Sequence, residues 1–417
     1  MLYPCHPVVE RIRGMIRASG PPLSPQCCIY KVPTKMFCRN VAAYEPQVVS
    51  IGPFHHAKSN LKAMEKHKLR YLESFLGRQR LNLEDLVNAI GEWEKETRAC
   101  YAEDIELCSN DFVQMILVDG VFIIELFLRS HFGDLLEDSD RILIFNPGFL
   151  NAINHDLILL ENQLPFFVLE RIFHFAFRGL HLENLPTMLD LTFRFFSYHN
   201  SQNLTPSFEV KHLLDLLRTF HLPPNPRMKP NIDAEFEFLP SATELHEAGV
   251  KFKVTSSTCL LDIHFKNNIL EIPCLKLYDK TESYFRNLMV FEQCHYPYDS
   301  RILDYVFFMD YLINTREDVD LLVQSGVIVN WLGDTAAVAT LFNNLCTDCT
   351  IVGSNFYFAH LCEDLNAYCR VPWHHWKAIF KRDYFSTPWS TAATIAATML
   401  LLLTFIQTVC SIISLRK

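Results

Sequence analysis

Glycine is scarce in this chain. There are 13 in 417 residues, and no two of them stand two positions apart. Neither the Gly-x-Gly-x-x-Gly dinucleotide turn nor a Gly-x-Ser-x-Gly nucleophile elbow can therefore be written, and no glycine-rich loop ends in Gly-Lys. A His-Glu-x-x-His zinc helix is also missing. Positive charge is in deficit: 38 Lys and Arg face 47 Asp and Glu, for a net charge of -9. That balance argues against a nucleic-acid partner, because a phosphate backbone is held mainly by Lys and Arg, though it leaves room for a local basic patch. The amino terminus lacks a continuous apolar stretch, being broken by Pro4, His6, Pro7, Glu10, Arg11 and Arg13. No cleavable secretory leader is expected from it. The 14 Cys do not follow the spacing of a small disulfide scaffold, so free thiols in a reducing compartment are expected.

What is abundant is apolar surface, at 49% of residues. The longest uncharged run lies at the end and reaches back to Tyr384; its last 25 residues, Thr391 to Leu415, form a continuous span followed by Arg416 and Lys417. As a helix it would rise about 37 Å, enough to cross a hydrocarbon core of roughly 30 Å. The expectation is a single transmembrane helix over 389–415. Arg370, Lys377, Lys381 and Arg382 upstream place the bulk of the chain in the cytosol by the positive-inside tendency. Ahead of the span, Trp373, Trp376, Phe380 and Tyr384 recur at helical spacing beside Lys377, Lys381 and Arg382, so a juxtamembrane aromatic and basic helix is expected over 372–388. A helix packed on its own domain fits the same stripe. Ala392, Ala393, Ala396 and Ala397 offer small residues through which two such spans would dimerise.

Before this terminus the pattern is mainly α, with a small β-hairpin or sheet element in the second half. Residues 1–28 read as a loose, flexible arm. A helical lobe follows over 29–221, with amphipathic helices after Ser59 and from Leu83 to Tyr101. Phe112–Leu128 is apolar nearly all round, interrupted by Gln114, Asp119, Gly120 and Glu125. Acids at mid-membrane are costly, so this is read as a buried core helix capped by Asp111. In the apolar stretch from Phe149 to Phe177, Pro165 predicts one helix ending near Gln163 and another starting beside it. Pro223, Pro224, Pro226 and Pro230 mark a connection over 222–240. A second lobe then spans 241–371. Its strands alternate at Val250-Phe252-Val254 and Leu261-Ile263-Phe265, turn at Asn267-Asn268, and return along Ile269–Leu277.

Several strings carry a resemblance. They are Tyr44-Glu45-Pro46-Gln47-Val48-Val49-Ser50-Ile51-Gly52-Pro53-Phe54-His55-His56, Met64-Glu65 with Lys68 and Arg70-Tyr71-Leu72, and Asp119-Gly120 with Phe122-Ile123 and Glu125-Leu126. Leu160-Glu161-Asn162-Gln163-Leu164-Pro165-Phe166-Phe167, Leu239-Pro240-Ser241-Ala242-Thr243-Glu244-Leu245, and Arg286-Asn287-Leu288 with Phe291-Glu292-Gln293 complete the set. In order and spacing the chain resembles the plant family called domain of unknown function 247, from about Ile29 to the terminal run. Lys31 and Ala57 depart from the commoner Arg and Gly. The resemblance implies a plant protein with a carboxy-terminal membrane span and no established biochemical activity. For some grass members it implies a candidate role in pollen-side self-incompatibility.

Each candidate for chemistry has a structural reading beside it. Cys346-x-x-Cys349, with Cys362 and Cys369 downstream, has one zinc-like spacing, but the second pair is too far apart, and burial inside helices explains these thiols. His55 and His56 follow Gly52-Pro53 without an identifiable partner and are read as turn-orienting. Asp119 and Glu125, six positions apart, do not share a helical face, so each is expected to anchor a buried donor. Glu161-Asn162-Gln163 falls at the expected helix break, where loose backbone groups need partners. No catalytic, cofactor-binding or metal-binding residue is assigned. The expectation is a non-enzymatic, membrane-anchored interaction or recognition protein with a protein partner. Its alternatives are an enzyme assembled from His55, His56, Asp119, Glu125 and Glu161, or a dimerising membrane-tethered scaffold.

Overall fold

A computed structural model describes residues 7–18, 23–79, 81–136, 146–178, 185–224, 238–351, 355–371 and 388–414. The chain forms two compact units. One comprises Met1–Leu222 with Lys280–Leu303, the other Pro223–Asp279 with Asp304–Lys417.

In the first unit, Pro7–Ala18 is a helix (α1) lying inside the stretch expected to be a loose arm. Pro7 at its first position and Glu10 in its first turn both suit a helix start. Helices α2 (Lys62–Gln79) and α3 (Leu83–Arg98) follow the amphipathic patterns. Asn82 caps α3 by accepting the Glu84 N–H at 3.1 Å.

The apolar segment is helix α4 (Ser109–His131), buried from Phe112 to Arg129 apart from Gln114. Its cap is Cys108 rather than the expected Asp111. The Cys108 sulfur accepts the Asp111 N–H at 3.4 Å. Burial of each large apolar side chain there contributes about 1.5–3 kcal/mol, which makes α4 the axis of this unit. Around it pack α2, α3, α6 (Phe166–Phe177) and α7 (Met188–Phe195). Between α3's end and α4, Ile29 and Tyr101 form a parallel β-bridge.

Helix α5 (Pro147–Leu157) stops six positions before the expected end at Gln163. Residues 158–165 form a strap instead, and α6 starts at Phe166 with Pro165 as its cap. The strap is non-helical because the Asn162 and Gln163 side chains capture the Asp156, Leu157 and Leu159 carbonyls that a longer helix would use. Two further helices complete the unit: α8 (Leu213–Thr219) and α10 (Thr281–His295). The short helix α9 (Ala242–Glu247), met before α10 in the chain, belongs to the second unit.

The second unit carries the β structure. β1 (Lys251–Thr255), β2 (His264–Lys266) and β3 (Ile269–Pro273) form a sheet in the order β1-β3-β2. The expected hairpin is present as β2 and β3, antiparallel, with Phe265 opposite Leu270. Asn267 and Asn268 turn the chain at φ 51 and 57, the left-handed pair that a two-residue hairpin needs. β1 runs parallel to β3. β4 (Leu275–Leu277) pairs in parallel with β5 (Ile328–Asn330), a strand that the sequence pattern does not mark. Helices α11 (Arg301–Leu312), α12 (Arg316–Gln324), α13 (Thr335–Leu345) and α14 (Ala359–Cys369) surround these strands in sequence. Asp318 joins α9 to α12: it closes a capping box with Thr315 and accepts both the N–H and the hydroxyl of Thr243 at 2.8 and 2.7 Å.

The terminal apolar run is helix α15 (Pro388–Ser414). The expected transmembrane span is nevertheless overturned: among the described residues no helix is long and apolar enough to cross a membrane. The expected aromatic and basic helix falls on 372–387, outside the described residues.

Candidate functional site

Asp119, Asn162, His55 and Glu161, all singled out in the sequence, meet at one segment of the first unit, residues 47–55. This segment has no partner strand for its N–H groups, and buried amides need acceptors. Side chains supply them. Asp156, at the end of α5, accepts from Gln47, Val48 and Val49 at 2.8, 2.7 and 2.9 Å. Asn162 accepts from Ile51 at 2.7 Å and donates back to the Val49 carbonyl at 3.0 Å. Asp119, from α4, accepts the Gly52 N–H at 2.9 Å. Lys68, from α2, closes the arrangement by donating to Asp119 and to the Ser50 carbonyl at 2.6 and 2.7 Å.

Burial is what gives these contacts their weight. Asp119, Asp156, Asn162 and Lys68 are all buried. Burial pushes the Asp119 carboxyl upward, opposed by Lys68 and by the Gly52 N–H. Burial also works against the Lys68 ammonium, yet Asp119 and Glu65 together hold its pKa above the usual lysine value.

Glu125 has a separate set of partners. Arg78 donates to its two oxygens at 2.8 Å each, and Arg129 donates at 2.9 Å. Asp119 and Glu125 are thus not an acid pair, as their spacing on α4 predicts. In the same unit Arg218 pairs with buried Glu292 at 2.7 Å and lies 3.9 Å above the Tyr296 ring.

His55 and Glu161 are brought together. Glu161 accepts the Val32 N–H at 2.7 Å through one oxygen, and its other oxygen stands 3.5 Å from His55 Nε2. Neither ring nitrogen of His55 has a hydrogen-bond partner among the described residues. Burial, reinforced by Lys58, lowers the His55 pKa to about 4. Burial raises that of Glu161. His56 is half-buried and does not join them. The two are neighbours without a hydrogen bond between them, and no Ser, Cys or Thr nucleophile is held against them by any described hydrogen bond, so the geometry lacks the parts of a nucleophilic site.

The cysteine candidates remain apart from chemistry. Cys346 and Cys349 belong to one turn, with the Cys349 N–H donating to the Cys346 carbonyl at 3.1 Å. Cys362 is buried, and burial raises its thiol pKa to about 12. Among the described residues no group of three His, Cys, Asp or Glu side chains is placed to hold a metal ion.

Sequence reading missed Lys68, Asp156 and Tyr101 as members of the network. Tyr101 donates to the Gln163 carbonyl at 3.1 Å. An aspartate closing a helix and a lysine on an amphipathic helix look like solvated residues, and no local pattern reveals an acceptor needed about a hundred positions away.

This is a mostly helical architecture whose interior charges serve as clamps for backbone. The chain belongs to the DUF247 family, described as a plant protein of unknown function, whose model matches residues 29–403. It is 30% identical to the UPF0481 protein At3g47200 of Arabidopsis thaliana, over 93% of this chain and 87% of that one. It is 24% identical to the putative UPF0481 protein At3g02645 of the same plant, over 91% and 89% of the two chains. No solved structure matches it.

Proposed function

We propose that the protein is a non-enzymatic interaction protein that recognises a protein partner through exposed aromatic side chains of its second unit. The observation that carries this reading is Trp331, 67% exposed, stacked on Tyr278 with ring centroids 6.2 Å apart and planes 18° from parallel. The rings are held at the end of the β4–β5 ladder, where the Trp331 N–H donates to the Leu277 carbonyl at 3.0 Å. A large apolar area on a rigid backbone with little side-chain entropy to lose is what dominant interface residues provide. Recognition during pollination, which the resemblance implies for some grass members, is one use for such a surface.

One feature supports the non-enzymatic half. The interior acids Asp119, Glu125 and Asp156 are engaged with buried cations or backbone amides, leaving them no reacting atom to serve. A second reading, an enzyme using His55 and Glu161, is favoured only by the unpaired His55 ring.

Quantitative proximity labelling in the native tissue tests the proposal, comparing the unaltered chain with Trp331→Ala. A partner whose labelling falls at least tenfold with Trp331→Ala, and which binds the purified unaltered chain but not the variant, is expected. An identical labelled set for both chains removes the aromatic surface from the account. Loss of biological function in a fully folded His55→Gln chain with partner binding intact turns the reading to the enzyme.

A further inference from the structure

Cys28 and Cys100 sit abreast on two bridged segments of the first unit. Ile29 and Tyr101 form the parallel bridge, and the N–H groups of Cys28 and Ile29 both donate to the Cys100 carbonyl at 2.9 Å. The Ala102 N–H returns a bond to the Ile29 carbonyl at 2.9 Å. One step back from the bridge, Cys28 lies beside Cys100 in the turn that leaves α3, and backbones joined by such bonds run about 4.8 Å apart. That separation lies inside the range of about 4.4–6.8 Å between Cα atoms joined by a disulfide. The two buried thiols lie close enough to shift each other's pKa, while the Cys100 thiol donates to the Glu96 carbonyl at 3.5 Å. Cys27, one residue earlier, projects from the opposite face of its strand.

We propose that Cys28 and Cys100 are a peroxide-responsive pair that closes into a disulfide, covalently fastening the Cys27–Ile29 segment to the chain leaving α3. Roles within the pair are unequal. The neighbouring Cys28 thiol, opposed by burial and by Glu96 and helped by Lys211 and Arg171, lowers the Cys100 pKa. The same contact, with burial, raises that of Cys28 and keeps it protonated. The Cys100 thiolate attacks one oxygen of hydrogen peroxide, the O–O bond breaks, and hydroxide leaves a sulfenic acid on Cys100. Cys28 then loses its proton to that hydroxide and attacks the Cys100 sulfur. The S–S bond forms as the S–O bond breaks, and the departing hydroxyl takes up the proton first released by Cys100. Two thiols and one peroxide give one disulfide and two waters. The bond would lie next to Tyr101, so oxidation would lock a member of the clamp around Gln163.

The test uses the full chain, reduced, desalted and treated with hydrogen peroxide in equimolar amount. Non-reducing peptide mapping is expected to find a linked peptide joining Cys28 to Cys100, with the urea midpoint rising on oxidation and returning on addition of dithiothreitol. Cys27→Ser should keep both effects, whereas Cys28→Ser and Cys100→Ser should each lose them. If either of the latter fails to fold, fragmentation of the linked peptide from the Cys27→Ser chain decides the pairing by itself. A link from Cys100 to Cys27 or Cys294, sulfinic acid on Cys100 without a link, or an oxidised chain with an unmoved midpoint overturns the proposal.

Discussion

Gly52 approaches Gln163 so closely that a Cβ at position 52 would stand 2.5 Å from the Gln163 carbonyl oxygen. The same atom would be 3.2 Å from the Tyr101 hydroxyl, and Gly52 has φ +73. Backbone conformation and space therefore both demand glycine. Gly52→Ala is expected to destabilise the protein by about 2–4 kcal/mol. Gly120→Ala is the comparison. Its Cβ would meet the flexible end of Ile172 at 2.7 Å, with no positive φ, so a loss of about 1–2 kcal/mol is expected. Urea denaturation of the two variants checks the order.

Asp156 satisfies three consecutive amides that no strand serves. Asp156→Ala leaves the buried Val49 amide without an acceptor, at about 1–3 kcal/mol, and the part-buried Gln47 and Val48 amides at less, so a total loss on the order of 2–4 kcal/mol is expected. Hydrogen exchange should show lost protection at Gln47, Val48 and Val49 while the centre of α4 stays protected. Equal loss at all sites would mean that Asp156 is not a local clamp.

Lys68 and Asp119 are both buried and 2.6 Å apart, so removing one partner strands the other. Lys68→Met is expected to cost about 3–5 kcal/mol. Adding Asp119→Asn removes the orphaned charge and keeps an acceptor for the Gly52 N–H. The double variant should therefore be more stable than Lys68→Met alone, a sign that a urea double-mutant cycle reads directly.

Buried histidines make the fold acid-sensitive. Burial lowers His199 to about 4 and, with smaller electrostatic contributions from neighbours, lowers His212 and His221 to about 3. An unfolded histidine takes up its proton as pH falls through about 6.5, and the native chain does not. The unfolded state thus binds more protons between about pH 6.5 and pH 3–4, and stability falls as pH falls through that window. At mid-window the three together impose a slope of up to about 4 kcal/mol per pH unit. His221→Gln should reduce it by about 1.4 kcal/mol per unit. Urea midpoints at pH 7 and pH 5 measure the change, and an unchanged slope would place the acid sensitivity elsewhere.

Local physics made part of this architecture legible. Phe112–Leu128 is apolar around its whole circumference, so burial was its only economical state in water. Asn267-Asn268 between alternating segments announced the hairpin, because those residues tolerate left-handed backbone. Pro165 marked the start of α6. The upstream end was misread, since nothing in α5's periodicity says that Asn162 and Gln163 will cap carbonyls from outside the helix. β5 was invisible for a related reason: three residues acquire strand geometry only by pairing with β4.

By itself, then, the sequence determined the helical class, the core helix α4, the hairpin, and the acids that had to find buried donors. Those features follow from short-range sterics and from the cost of exposing apolar surface. Tertiary structure decided the partners: Asp156 for three amides, Lys68 for Asp119, Glu161 for His55, and Cys100 for Cys28. It also withdrew the transmembrane reading of the last helix. Hydrogen bonds and ion pairs are formed between groups brought together by folding, and their energies depend on burial that no local spacing encodes.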